Sequence, residues 1–336
     1  MLNQRWVIQD RPIGRALRES DFRLETVDAA PLSEGEVCVQ TQYLSFDPAQ
    51  KSWMENIANY KSPTEIGGLM PGDGVGQVVA TRSDKIAVGA IVQGPLGWQR
   101  YAVQAADQVS VIPEGVPPTA ALGVVGMTGK TAYFGLLHMG RPKAGDTLVI
   151  SGAAGAVGSV VGQIGKIAGC RVIGIAGGSA KCAWLVEELG FDAAIDYKNE
   201  SVRRRLREVC PNGIDIFFDN VGGDLLNDCL ARVNFGARVV ICGGISRYNA
   251  DPRDPQQMPP GPRNYFNVVF TQATIQGFVV SQFSELYGEA DRRLAHWVRA
   301  RTLKCREDVV EGFDQAPRAL MRLFGGENFG KQLLKI

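Results

Sequence analysis

Apolar residues recur along this chain with two different rhythms. Glu36-Val37-Cys38-Val39-Gln40-Thr41-Gln42-Tyr43 alternates with the period of a half-buried strand, and residues 75–81 and 98–103 also suit strands. Gly67-Gly68, Pro71-Gly72 and Gly94-Pro95 punctuate this stretch. Residues 1 to about 120 therefore read as an irregular, mostly β module. From about residue 121 the pattern becomes alternating strand and helix. Strands are expected over 147–150, 171–176, 214–219 and 238–242, and helices over 156–168, 181–189, 201–209 and 222–233. Continuous apolar strands alternating with helices predict a parallel sheet covered on both faces. A later strand over 274–280, helices over 286–300 and near 314–324, and a closing strand over 331–336 complete the reading. The Pro-rich stretch 252–262 interrupts the α/β pattern and reads as a functional loop or lid. The fold class is α/β, and 336 residues suit two domains.

Charge narrows the partners. Lys+Arg is 36 against Asp+Glu 35, so no surplus of positive charge marks a nucleic-acid binder. The cluster Arg203, Arg204, Arg205 and Arg207, flanked by Glu200 and Glu208, reads as a solvated helix face. No run of 18 apolar residues predicts a membrane span, and residues 1–10 lack a signal-peptide apolar core. Seven cysteines without a pairing pattern point to reduced thiols and a cytoplasmic setting. They lie at 38, 170, 182, 210, 229, 242 and 305, and the histidines are His138 and His296. None of these spacings forms a metal knuckle, so no metal site is expected.

Chemistry concentrates in Ser151-Gly152-Ala153-Ala154-Gly155-Ala156-Val157-Gly158, between an apolar strand and a small-residue helix. This resembles the dinucleotide fingerprint, with Ala153 in the first glycine position and Gly155 and Gly158 in the others. Gly155 would let backbone N–H groups approach a pyrophosphate at the helix start, and Gly158 would allow close helix–sheet packing. The next strand ends Ala176-Gly177-Gly178-Ser179-Ala180-Lys181, without the acid that NAD binders usually place there. Ser179 and Lys181 can receive a 2′-phosphate, which favours NADPH; a plain turn and a solvated helix-start lysine are the alternative.

Further motifs span essentially the whole chain. They are Leu44-Ser45-Phe46-Asp47-Pro48, Phe218-Asp219-Asn220-Val221-Gly222-Gly223, Cys242-Gly243-Gly244-Ile245-Ser246, Gly277-Phe278-Val279-Val280 and Gly325-Gly326-Glu327-Asn328-Phe329-Gly330-Lys331. With the glycine loop they resemble the zinc-independent medium-chain dehydrogenases/reductases, in the branch of prostaglandin reductases and alkenal double-bond reductases, nearest its bacterial curcumin-reductase-like members. The resemblance implies a GroES-like catalytic domain over 1–122, completed by 301–336, and a Rossmann NADP-binding domain over 123–300 with the active site in the cleft. It also implies a homodimer paired through a strand near 274–280.

The resemblance carries cofactor contacts over by motif. Gly155, Ala156, Val157 and Gly158 would hold the pyrophosphate, and Lys181 and Tyr197 the 2′-phosphate. Asn220 would end a strand at the sheet's carboxyl edge, where ligands bind, and the loop of Cys242, Gly243, Gly244, Ile245, Ser246 and Tyr248, with Phe278, Val279 and Val280, would surround the nicotinamide. Asn328 would reach the cofactor from the tail. Bland alternatives stand beside these: surface packing for Tyr197, turn formation for Asn220 and Asn328, and sheet core for 278–280. Tyr248 and Tyr60 are the candidate catalytic groups, since a phenol can donate to an enolate oxygen; each is otherwise a loop anchor. After Asp47-Pro48 the family usually has Met-Arg, whereas this chain reads Gln50-Lys51, which leaves substrate preference open. The implied activity is NADPH-dependent reduction of the activated C=C bond of α,β-unsaturated ketones or aldehydes. A zinc-free quinone reductase or alcohol dehydrogenase is the second reading, and a non-enzymatic NADPH-binding protein the third.

Overall fold

The computed structural model describes residues 2–55, 62–259 and 261–336. The chain divides into two compact units, Met1–Gly123 with Glu307–Ile336, and Val124–Arg306.

In the first unit β1 (Leu2–Ile8) and β2 (Phe22–Asp28) form an antiparallel pair. β3 (Glu36–Ser45) leads into the short helix α1 (Ala49–Met54). β4 (Gly74–Thr81), β5 (Ile91–Gly94), β6 (Tyr101–Ala105), β7 (Ser110–Val111) and α2 (Pro118–Leu122) follow. The strand expected from residue 98 begins later, at Tyr101. Trp98 is instead fully buried, stacked on Phe22 at 5.4 Å and tilted against Phe46 at 5.0 Å. Burying its large ring in the core outweighs the local strand pattern.

The second unit opens with α3 (Met127–Phe134), which continues as a π-helical segment, Gly135–Gly140. Strand and helix then alternate: β8 (Thr147–Ser151), α4 (Ala156–Ile167), β9 (Arg171–Ala176), α5 (Ser179–Glu187), β10 (Ala193–Asp196) and α6 (Val202–Val209). β11 (Ile214–Asp219), α7 (Gly223–Leu230), β12 (Val233–Ile241), α8 (Asn267–Thr271), β13 (Thr274–Gly277) and α9 (Tyr287–Arg299) complete it. Among the described residues the sheet order is β10-β9-β8-β11-β12-β13, with every pairing parallel. All five residues of β8 are buried, as a strand covered on both faces requires. α4 lies close to the unit's core because Gly162 leaves room for the Phe191 ring where a Cβ would stand.

Two further expected boundaries move. The strand foreseen over 274–280 ends at Gly277, and Val280–Leu286 turns into a 3-10 helix. All four residues of β13 are exposed, because it is the edge of the sheet. The helix foreseen over 222–233 stops at Leu230, since Val233 already belongs to β12.

The chain returns to the first unit through β14 (Glu307–Glu311), α10 (Ala316–Gly325) and β15 (Lys331–Lys335). β15 pairs antiparallel with β3 and parallel with β14, giving the order β14-β15-β3-β4-β5-β7, with β6 also on β3. Segments near opposite ends of the chain thus share one sheet.

Candidate active site

β8 and β11 are adjacent in the sheet, but β9–β10 extend to one side and β12–β13 to the other. This is the switch point of a doubly wound sheet, where the loops leaving two neighbouring strands diverge and open a crevice. The loop after β8 turns at Gly152, whose φ is +60°. That left-handed conformation suits glycine and strains a side chain. The turn therefore sits one residue before Ala153, the position matched to the first fingerprint glycine. The Gly directly after the apolar strand was the signal for it. Ala153 is buried and its N–H donates to Ile175 O at 3.0 Å, tying the loop to β9. A Cβ on Gly158 would lie 2.5 Å from Gly152 O and 2.8 Å from Ala153 Cα. Gly158 thus seats α4 against the loop's backbone rather than against the sheet. The N–H groups of Ala156, Val157 and Gly158 open this 12-residue helix, where the backbone leaves donors for an anion. The cradle fits a pyrophosphate.

The facing loop is held by Asp219, which is fully buried at the end of β11. Its carboxylate accepts the Ser151 hydroxyl at 2.6 Å, Val221 N–H at 3.0 Å and Gly222 N–H at 3.0 Å. Burial pushes this carboxyl above its ordinary value, against the opposing pull of those donors. Asn220 donates its Nδ2 to Ser151 O at 2.7 Å, and its N–H to Ser151 Oγ at 2.8 Å. Asn220 therefore bridges the two loops of the switch point, which a plain turn former would not do. The β12 loop joins them. Cys242 and Gly243 N–H donate to Asp219 O, Ile245 N–H to Asn220 O, and the Ser246 N–H and hydroxyl to Val221 O. Burial first, and then the Asp219 charge, push the Cys242 thiol up to about 12, so it stays a protonated thiol. Tyr248 caps the 3-10 turn Ile245–Arg247 and is half-buried.

A second cluster forms where β9 and β10 end. Gly178 has φ +97° and starts α5 at Ser179, two residues before the expected start. Asp196, at the end of β10, accepts Gly178 N–H at 2.8 Å, Lys198 N–H at 3.1 Å and Asn199 Nδ2 at 2.8 Å. Those donors, Gly178 foremost, hold its carboxyl below the ordinary value. A Cβ on Gly177 would stand 2.9 Å from the Tyr197 ring and 3.0 Å from Lys198 Cε. Ser179 and Tyr197 are exposed here, and Lys181 is half-buried on the first turn of α5. Sequence reasoning missed Asp196 and Lys198, although both flank Tyr197.

Other candidates lie elsewhere. The Phe278 ring packs away from the loops, against the space beside Gly135 and 6.5 Å from the Phe283 ring. What residues 278–280 offer beyond β13 is backbone rather than the Phe278 face. Asn328 belongs to the first unit, where its Nδ2 donates to Gly330 O at 3.0 Å. Tyr60 lies outside the described residues. Gln50 and Lys51 are both buried. The Lys51 ammonium donates to Pro12 O at 3.0 Å and pairs with Glu55, so its charge serves the architecture of α1. Among the described residues no three His, Cys, Asp or Glu side chains converge as metal ligands would.

Residues 4–112 match the family model "N-terminal domain of oxidoreductase", and residues 156–296 match "Zinc-binding dehydrogenase". The chain is 42% identical over 328 residues to the NADP-dependent oxidoreductase YfmJ of Bacillus subtilis (97% of this chain, 95% of the relative). It is 39% identical over 340 residues to the NADPH-dependent curcumin reductase of Escherichia coli (99% and 97%). It is also 38% identical over 336 residues to prostaglandin reductase 1 of Bos taurus (98% and 98%). The chain is a medium-chain dehydrogenase/reductase. Within that family it is an NADP-dependent oxidoreductase of the curcumin and prostaglandin reductase branch. The crystal structure of CurA in complex with NADPH from Vibrio vulnificus superposes with a TM-score of 0.92 at 39% identity, covering 99% of this chain and 98% of that one. The chain thus shares its fold with a structure that holds NADPH.

Proposed function

We propose that this medium-chain reductase reduces the activated C=C bond of α,β-unsaturated ketones and aldehydes. The observation that carries the reading is the bridged switch point, in a chain whose full-length relatives are named curcumin reductase and prostaglandin reductase. Bound NADPH supplies the hydride for the β-carbon. The N–H groups of Ala156, Val157 and Gly158 hold the pyrophosphate, and Ser179, Lys181 and Tyr197 receive the 2′-phosphate. Asn220, the 242–246 loop and the backbone of 278–280 position the nicotinamide end. Tyr248 donates a hydrogen bond to the carbonyl oxygen, where negative charge builds as the β-carbon is reduced, and the α-carbon of the resulting enolate takes its proton from water.

We further propose that the protein is a cytoplasmic homodimer joined through β13. The edge strand is exposed, and Tyr265, Phe266, Val269 and Phe270 beside it are 65%, 55%, 60% and 73% exposed. That much unpartnered apolar surface next to an open edge suits a second copy.

The test is NADPH oxidation with a panel of enones, enals and a quinone, read together with product masses. Saturated carbonyl products support the proposal. Turnover of the quinone alone, or allylic alcohols as products, overturns it. Tyr248→Phe should lower kcat by about 100-fold, in the usual range for removing a proton donor, and lower turnover more than NADPH affinity.

A further inference from the structure

We propose that Lys198 is a second cationic ligand of the cofactor's 2′-phosphate and helps set the preference for NADPH over NADH. The inference rests on the phosphate end proposed above, which names Ser179, Lys181 and Tyr197 only. Its first support is the path of the lysine stem. Lys198 Cε lies 3.0 Å from the position a Cβ on Gly177 would take, beside the Tyr197 ring on the same glycine. The ammonium is one bond further on, at the turn that ends β9. In this fold the adenosine ribose is read at that strand end.

The root of the side chain is fixed as well. Lys198 N–H and Gly178 N–H donate to the same oxygen of Asp196, at 3.1 and 2.8 Å. Asn199 Nδ2 holds the other oxygen at 2.8 Å. One buried carboxylate thus ties the Gly178 turn to the Tyr197-Lys198 segment, and neither can drift without the other.

The third support is that the ammonium has no hydrogen-bonded partner, its charge acting only through space on Asp196. Lys198 is exposed, and its ammonium makes no hydrogen bond or ion pair among the described residues. Lys51, Lys166 and Lys331, by contrast, are each paired with a carboxylate. A phosphate monoester carries roughly −1.5 to −2 charges at neutral pH, whereas NADH offers a hydroxyl at the same position. The Asp196 carboxylate at this turn opposes that charge, and Lys198 offsets it. Removing Lys198 therefore penalises NADPH and spares NADH.

The experiment titrates wild type, Lys198→Ala and Lys198→Arg with NADPH and with NADH. In Lys198→Ala we expect NADPH affinity to fall about tenfold, ~1.4 kcal/mol, with NADH affinity unchanged. Lys198→Arg should retain most of the NADPH affinity. Unchanged NADPH binding in Lys198→Ala, or equal losses for both cofactors, overturns the role of Lys198. The parallel variant Lys181→Ala separates the two claims. If it too leaves the NADPH preference intact, the phosphate end itself is misplaced; if it alone abolishes the preference, only the role of Lys198 falls.

Discussion

Asp219 offers a quantitative test of how the switch point is built. It is fully buried and accepts from three donors, the Ser151 hydroxyl and the N–H groups of Val221 and Gly222. Asp219→Ala leaves all three without an acceptor. At about 1–3 kcal/mol for each buried unsatisfied donor, the total is roughly 3–9 kcal/mol, less what relaxation and water entry recover. Asp219→Asn behaves differently. Its folded carboxyl is raised, so the site disfavours the charge relative to water. A raised carboxyl contributes its full stability below the unfolded value and loses it as pH rises through the folded one. At pH 7 the charge is thus a net cost. A neutral isostere that still offers an oxygen should cost less than about 1 kcal/mol. Urea unfolding of both variants at pH 7, with NADPH titration of each, reads the difference. Asp219→Ala should also lose NADPH affinity, because Asn220 and the 242–246 loop hang on this carboxylate. Equal destabilisation by Asn and Ala would refute the reasoning, since the charge rather than the acceptor would then hold the loops.

Three further expectations follow from other residues. Asp196 is held below its ordinary value, so it contributes stability above the unfolded value and loses it as pH falls through the folded one; Asp196→Asn should be less stable than wild type at pH 7, with the gap closing in acid, as thermal melts across pH would show. Lys51→Met takes the buried ammonium away from the Glu55 carboxylate and should cost about 3–5 kcal/mol in urea unfolding, part of it regained when Glu55→Gln is added. Gln276→Pro takes a backbone donor out of the exposed edge strand β13 and should shift a dimer toward monomer in analytical ultracentrifugation; an unchanged mass would place the interface elsewhere.

The parallel sheet was readable because its strands are short continuous apolar runs, such as Thr147-Leu148-Val149-Ile150, set between helices. β1 was not readable, because Leu2-Asn3-Gln4-Arg5-Trp6 has no clean alternation and draws its order from β2 and from backbone bonds to Gly68 and Trp98. The glycine loop stood out, yet the residue that makes its turn is Gly152, since φ is set by how the chain leaves β8. Asp219 sat inside a recognised motif, and Asp196 beside Tyr197, without showing their roles. Each carboxylate acts mainly on backbone N–H groups, which leave no mark on residue identity. Gly178 lies 18 residues from the Asp196 that holds it. The departure at Gln50-Lys51 was visible in the sequence, but its burial against Pro12 and Glu55 emerges only when the loop before β2 folds over α1.

The most direct measurement follows the hydride itself. An enone is reduced with NADPH carrying deuterium at the transferred position, and the product is examined by mass spectrometry and NMR. The account predicts a saturated carbonyl compound with one deuterium on the β-carbon. Deuterium on the carbonyl carbon of an alcohol product would contradict it.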